Sequence, residues 1–232
     1  MFFWFKRKKV VIDCYIDNQI MCDTYQIKRG IKATPDWWKD LPATISQYRE
    51  GSKYFFPTAK KCPGFVDLYL KSWVVPMWSD LTICSSDDGN FRYAFPHHIR
   101  HSDVTFHPEF QFHGAFSGFS HIKFMCPWLL IDTHKTNTKF MFTPTTWTLT
   151  DDAPYLRMLP GVVEFVYNTG IHINCLMPKV NAEYFLKAGT PMVHLTPLTD
   201  KEVEFKHHCT TPADYEHLFR NHTPRSYNKF TR

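Results

Sequence analysis

The sequence predicts an all-β chain with minor α content, and three observations predict it. Aromatic residues make up 17% of the chain, as 21 Phe, 7 Trp and 11 Tyr. With many Thr and Val beside them, they suit pleated sheets better than helices. Short apolar runs recur between Pro, Asn, Asp and Gly turn signals about every 8–12 residues, the spacing of a β-barrel or sandwich. Only 9 Gly stand against 16 Pro, which leaves little material for glycine-rich phosphate loops. At 232 residues the chain suits one large domain, or one with a small appendage.

Taken in order, Met1-Phe2-Phe3-Trp4-Phe5 precedes Lys6-Arg7-Lys8-Lys9, the reverse of a secretory signal, whose positive charge comes first. Such an aromatic tip suits a first strand packed on the core, or a tip docked at a membrane surface or in a partner's groove. Residues 10–16 and 19–27 alternate around Asp17-Asn18 and read as a hairpin. Thr34-Pro35-Asp36 opens a short helix that Pro42 ends; the threonine caps, proline loses nothing at the first helical position, and aspartate complements the dipole. Residues 46–61 read as a polar linker.

The body, residues 62–206, is almost continuously strand-like. Candidate strands are 65–70, 73–75, 81–84, 91–95, 121–125, 128–131, 140–142, 146–149, 162–167, 171–177, 184–187 and 192–198. Asp88-Gly89 centres a hairpin tip between 84 and 91. Residues 96–120, rich in His, Phe and Gly, read as a long functional or subunit-contact loop. Thr211-Pro212 repeats the helix opening, and a basic extended tail follows. The expected organisation is therefore an N-terminal hairpin, helix and linker (1–61), a β-barrel core (62–206), and a helix with a basic tail (207–232).

Seven cysteines, odd in number and without a C-x-x-C pair, fit neither a zinc ribbon nor a disulfide framework. Most sit among apolar neighbours, Cys84 and Cys175 for example, and read as small buried hydrophobes in a reducing compartment. The net charge of +5 is spread thinly and makes no case for specific nucleic-acid binding. No apolar run approaches the ~18 residues of a membrane helix. Walker, G-x-S-x-G, H-E-x-x-H and dinucleotide fingerprints are all missing.

Three stretches carry a family resemblance. Pro160-Gly161-Val162-Val163-Glu164-Phe165-Val166-Tyr167 resembles the third motif of dUTPases and dCTP deaminases. Lys187-Ala188-Gly189-Thr190-Pro191-Met192-Val193-His194-Leu195 is similar to their Lys-Gly-Asp element, and Pro63-Gly64-Phe65-Val66-Asp67-Leu68 loosely echoes Ala-Gly-Tyr-Asp-Leu. The resemblance implies a β-clip or jelly-roll-like barrel with two short helices, usually a trimer. It gives Glu164 the place of the water-activating carboxylate, Tyr167 that of the deoxyribose platform, and Asp67 that of a metal-side carboxylate. The family's Pro-Arg-Ser-Gly loop and glycine-rich arm have no counterpart in this sequence, so the barrel is expected to persist without the chemistry. Cys62-Pro63-Gly64-Phe65, Pro127-Trp128, Leu159-Pro160-Gly161 and Ala188-Gly189-Thr190-Pro191 also resemble a group of uncharacterised proteins of marine tailed phages. That implies the virion or the host cytoplasm as the location.

Thirteen histidines raise a metal question. His101-Ser102-Asp103 has the His-x-Asp form of a non-haem iron triad, with His172 as the distal ligand. A chain with this many His carries about one such tripeptide by chance, and tight iron binding is not expected. Trp37, Trp38, Trp73 and Trp78 read as interface anchors or core residues. The leading expectation is a non-enzymatic, oligomeric phage β-barrel protein with a structural or binding role, without cofactor, pairing with itself or with other virion proteins. A dUTPase/dCTP deaminase-like nucleotide hydrolase and a non-haem iron oxygenase are the alternatives.

Overall fold

In β1 (Val10–Ile16) every second residue, Val10, Ile12, Cys14 and Ile16, is buried, the period of a half-buried strand. The computed structural model that contains it describes residues 9–148, 156–166 and 170–222. The aromatic N-terminal tip, the end of the 146–149 candidate strand, Tyr167 and the basic tail beyond 222 lie outside these residues. The strand expected after β1 is instead α1 (Gln19–Thr24). Asn18 does not turn a hairpin; its side chain accepts the Met21 N–H at 3.1 Å and caps the helix.

β2 (Lys28–Arg29) and α2 (Asp36–Asp40) follow. Thr34 does not cap α2: its hydroxyl donates to the Ile31 carbonyl, and Pro35 takes the cap position. The expected linker folds as a hairpin, β3 (Thr44–Arg49) and β4 (Ser52–Pro57). The candidate strand at 65–70 is a helix, α3 (Pro63–Lys71), which starts on proline and buries Phe65 and Tyr69 four positions apart.

β5 (Trp73–Pro76), β6 (Leu81–Ser85) and β7 (Phe91–Ala94) form where expected, the last two as a hairpin through Gly89 at φ 87°. The His-rich loop contains β8 (Asp103–His107) and a 3₁₀ turn at Glu109–Phe112. β9 (Phe119–Ile131) joins two expected strands into one. Pro127 is tolerated there because the pairing with β13 slips between Gly170 and Ile171, opposite Leu129 and Cys126.

β10 (Lys139–Pro144), β11 (Arg157–Met158), β12 (Gly161–Glu164), β13 (Gly170–Pro178), β14 (Ala182–Leu186), β15 (Pro191–Pro197) and β16 (Val203–Cys209) complete the strands. α4 (Pro212–His222) ends the described chain. Thr211 accepts the Asp214 N–H and donates to the Asp214 carboxylate, the cap read from the sequence. The described residues thus hold four short α-helices where two were expected.

The largest sheet runs β11-β13-β9-β1-β16, with β8 also on β9; β1 and β16 are parallel and every other pair is antiparallel. A second sheet runs β12-β10-β15-β5-β2, a third β14-β6-β7, and β3-β4 stands alone. Ile12, Phe124 and Ile173 from the first sheet, Phe140, Val193 and Val75 from the second, and Ile83 and Tyr184 from the third share one buried apolar cluster. Phe205 on β16 meets Trp73 at 4.9 Å and Phe140 at 5.6 Å, so the first two sheets pack face to face.

The chain is all-β with minor α, but no sheet closes into a barrel among the described residues. The segments at 162–167, 171–177, 184–187 and 192–198 were expected as neighbouring antiparallel strands. They are not: β12 pairs β10, β13 pairs β9 and β11, β14 pairs β6, and β15 lies between β10 and β5. Consecutive strands join three different sheets instead of folding back beside each other. The expected 61/62 boundary leaves β1, from the N-terminal segment, inside the largest sheet. Cys84 is exposed, because Leu81 and Ile83 take the inward positions of β6.

Candidate functional site

The hairpin β3-β4 is the part of the described chain that least resembles a folded interior. Its tip turns through Glu50 (φ 47°) and Gly51 (φ 79°), both left-handed, which matches the twist of a tight hairpin. Register then sorts the side chains onto two faces. Tyr48, Lys53 and Phe55 share one face; Ile45, Arg49, Tyr54 and Phe56 share the other. Lys53 Nζ lies over both Tyr48 (5.9 Å) and Phe55 (5.4 Å), and the Arg49 guanidinium lies over Phe56 (5.7 Å). Tyr48 is 74% exposed and Phe55 68%, while Tyr54 and Ile45 are also open to solvent. Among the described residues each strand pairs only with the other, so no further strand covers either outer edge.

The base of this arm is anchored to the body. Thr58 donates to the Pro42 carbonyl through its hydroxyl and to the Ala43 carbonyl through its N–H. Beside it, Trp38 stacks on Phe65 at 5.2 Å with the Lys60 ammonium 4.4 Å from its ring. Trp37 meets Phe65 edge-on, donates its indole N–H to the Trp147 carbonyl at 2.9 Å, and stays 44% exposed. Trp37 and the half-exposed Trp147 meet at 6.3 Å and form a second exposed aromatic pair, on the body.

The other two candidate anchors are core residues. Trp73 is buried against Phe205 under the Arg29 guanidinium, and Trp78 is buried with its N–H donated to Ser102 Oγ at 2.7 Å. Neither reaches a surface that a partner could touch.

The residues assigned by family resemblance are dispersed. Asp67 sits on the exposed side of α3, ion-paired with Lys71 one turn away at 2.7 Å. Glu164 ends β12 directly opposite Lys139. Tyr167 lies outside the described residues.

The iron triad does not assemble either. His101, at φ 61°, stacks on Tyr215 at 4.5 Å and faces Glu216. Asp103 accepts from the Tyr93 hydroxyl and the Val104 N–H, and His172 projects from β13 opposite Met125. Among the described residues no group of three His, Cys, Asp or Glu side chains is placed to hold a metal ion. No helix there is long and apolar enough to cross a membrane.

Two arrangements have no signal in the sequence alone. One is the hairpin, whose strands are exposed on both faces and so lack the apolar alternation that marks a half-buried strand. The other is a histidine pair, His107 and His121, whose rings meet at 4.7 Å across two strands fourteen positions apart. No family model, curated protein or solved structure matches the chain.

Proposed function

We propose that this is a non-enzymatic phage protein that acts through its surface, in the virion or during its assembly, and that β3-β4 is an arm docking on a neighbouring copy of the same chain. The observation that carries this reading is an aromatic two-stranded ribbon exposed on both faces. A lone hairpin is marginally stable in water. Burying Tyr48, Tyr54 and Phe55 in a neighbour would contribute about 1.5–3 kcal/mol each. Open edges and aromatic side chains interleaved with cations are what subunit contacts use. The expected assembly is a homo-oligomer built through this arm.

Quantitative mass spectrometry of purified virions and of their assembly intermediates tests the role. A copy number in fixed ratio to the major structural proteins supports it. Absence from both particles and intermediates contradicts it.

A further inference from the structure

The outer face of the largest sheet carries a set of cations that the docking arm does not use. Register aligns His107 on β8, His121 on β9, Leu176 on β13 and Arg157 on β11 in one row. The next row holds Thr105, Lys123 and Asn174, and the one after it Asp103, Met125 and His172. Alternate residues of a strand share a face, so these side chains all stand on one side. Phe112, on the turn after β8, lies 4.6 Å from the His121 ring and covers it. Under this cover Asn174 is the polar neighbour of His121, so a second His121 nitrogen and Thr105 Oγ1 stay shut off from solvent without a hydrogen-bond partner. Buried polar atoms are rarely left in that state, and here they gather in two adjoining rows.

Charge indicates which polar group belongs there. On the same face the rows around His121 hold His107 and Asp103 from β8, Lys123 on its own strand, His172 from β13 and Arg157 from β11, with Glu109 on the covering turn. The two carboxylates are engaged elsewhere: Asp103 with Tyr93 and Val104, Glu109 with Lys179. Everything else in the set is cationic or becomes so on protonation.

We propose that this face binds a phosphate-class oxoanion, with Lys123 as the fixed charge and His121 and His107 as N–H donors. Burial, then the charge of His107, then that of Lys123, hold the His121 pKa below its ordinary value, with Asn174 opposing them. His172 is lowered by burial first and by Lys123 and His107 after it. An anion seated among these groups reverses the repulsion, so its binding takes up protons and strengthens as pH falls. The phosphate can be free or part of a nucleic-acid backbone; the donors required are the same.

Isothermal titration calorimetry on the full chain separates these sources, with inorganic phosphate and a short thymidine oligonucleotide as separate probes at about pH 6 and about pH 8. Saturable binding of at least one probe is expected at the lower pH, weaker at the higher. Lys123→Gln should weaken it about tenfold or more, the loss of one charge-assisted contact. His121→Gln, checked for an unchanged melting temperature, should flatten the pH dependence. Binding of phosphate alone identifies a free oxoanion, and binding of the oligonucleotide identifies a strand backbone. No binding of either probe at the lower pH, or binding that both variants leave unchanged, overturns the proposal.

Discussion

Ser72 Oγ lies 2.9 Å from Nδ1 of His194, 122 positions later in the chain, and neither side chain reaches solvent. Ser72 caps the end of α3 and His194 belongs to β15, so this contact fastens the helix to the outer face of the second sheet. The edge of Tyr69 packs on the imidazole at 5.0 Å. Packing is close: a Cβ on Gly30 would stand 2.5 Å from Ser72 Oγ. Ser72→Ala leaves a buried imidazole without its hydrogen bond, and is expected to cost about 1–3 kcal/mol. Calorimetric melting should show a fall of several degrees; an unchanged Tm would contradict the role given to this contact.

Acid should expose the same residue. Burial pushes the His194 pKa down to about 4, and burial with the His208 charge pushes His207 to about 4, from an ordinary 6.5. Above pH 6.5 both states are neutral at these sites and stability is full. Between 6.5 and about 4 the unfolded chain takes up protons that the folded chain refuses, so stability is lost as pH falls. Below about 4 the loss levels off, after on the order of 3 kcal/mol from His194 alone. Urea midpoints measured across this range should slope downward toward acid, and the slope should be shallower in His194→Gln. Equal slopes in the two proteins would be the contrary result.

Tyr215 gives α4 its hold on the sheet. Its hydroxyl donates to the Pro127 carbonyl at 2.9 Å, and its ring, with Leu218 and Phe219 nearby, packs over Leu129 and Ile131. Burial raises the phenol pKa far above its usual range, so the proton stays in place for that bond. Tyr215→Phe should cost about 1 kcal/mol, and amide exchange within α4 should accelerate. Exchange rates equal to those of the wild type would show that the ring alone docks the helix.

Nucleotide chemistry is not expected. Glu164 faces Lys139 at the end of an edge strand, and the sequence lacks the family's phosphate loop and arm. The loss of one preorganised donor commonly costs about 2.7–4 kcal/mol of barrier, and here several are missing. A pyrophosphate-release assay with dUTP or dCTP and magnesium, run on the full chain over a range of protein concentrations, should show background rates in both wild type and Glu164→Gln. Sustained release that the substitution abolishes would restore the hydrolase reading.

Much of the strand content was legible, because residues such as Ile12, Ile83 and Ile173 mark inward positions by their own alternation. α4 announced itself through Thr211-Pro212 and a working cap. The misreadings have physical causes. Asn18 satisfies a turn and a helix cap equally well, and only the amide it meets, Met21 N–H, decides between them. Phe65 and Tyr69 are four apart, a helical interval, yet Val66 and Leu68 between them make the stretch look like a continuous buried strand. Strand pairing was not legible, since it depends on which sheet each strand crosses to. For the same reason the cluster of His107, His121 and Lys123 appears only once β8 and β9 are in register.

In the proposed assembly β3-β4 holds copies of this chain together. Sedimentation equilibrium of the full chain, beside a Tyr48→Ser/Phe55→Ser double variant, tests it most directly. Both side chains are mostly exposed within one chain, so the variant should keep the wild-type circular dichroism spectrum while its melting temperature falls with the lost subunit contacts. The wild type is expected to sediment as an oligomer and the variant as a monomer. A wild-type monomer well above micromolar concentration, or a variant with the same mass as the wild-type oligomer, would contradict it.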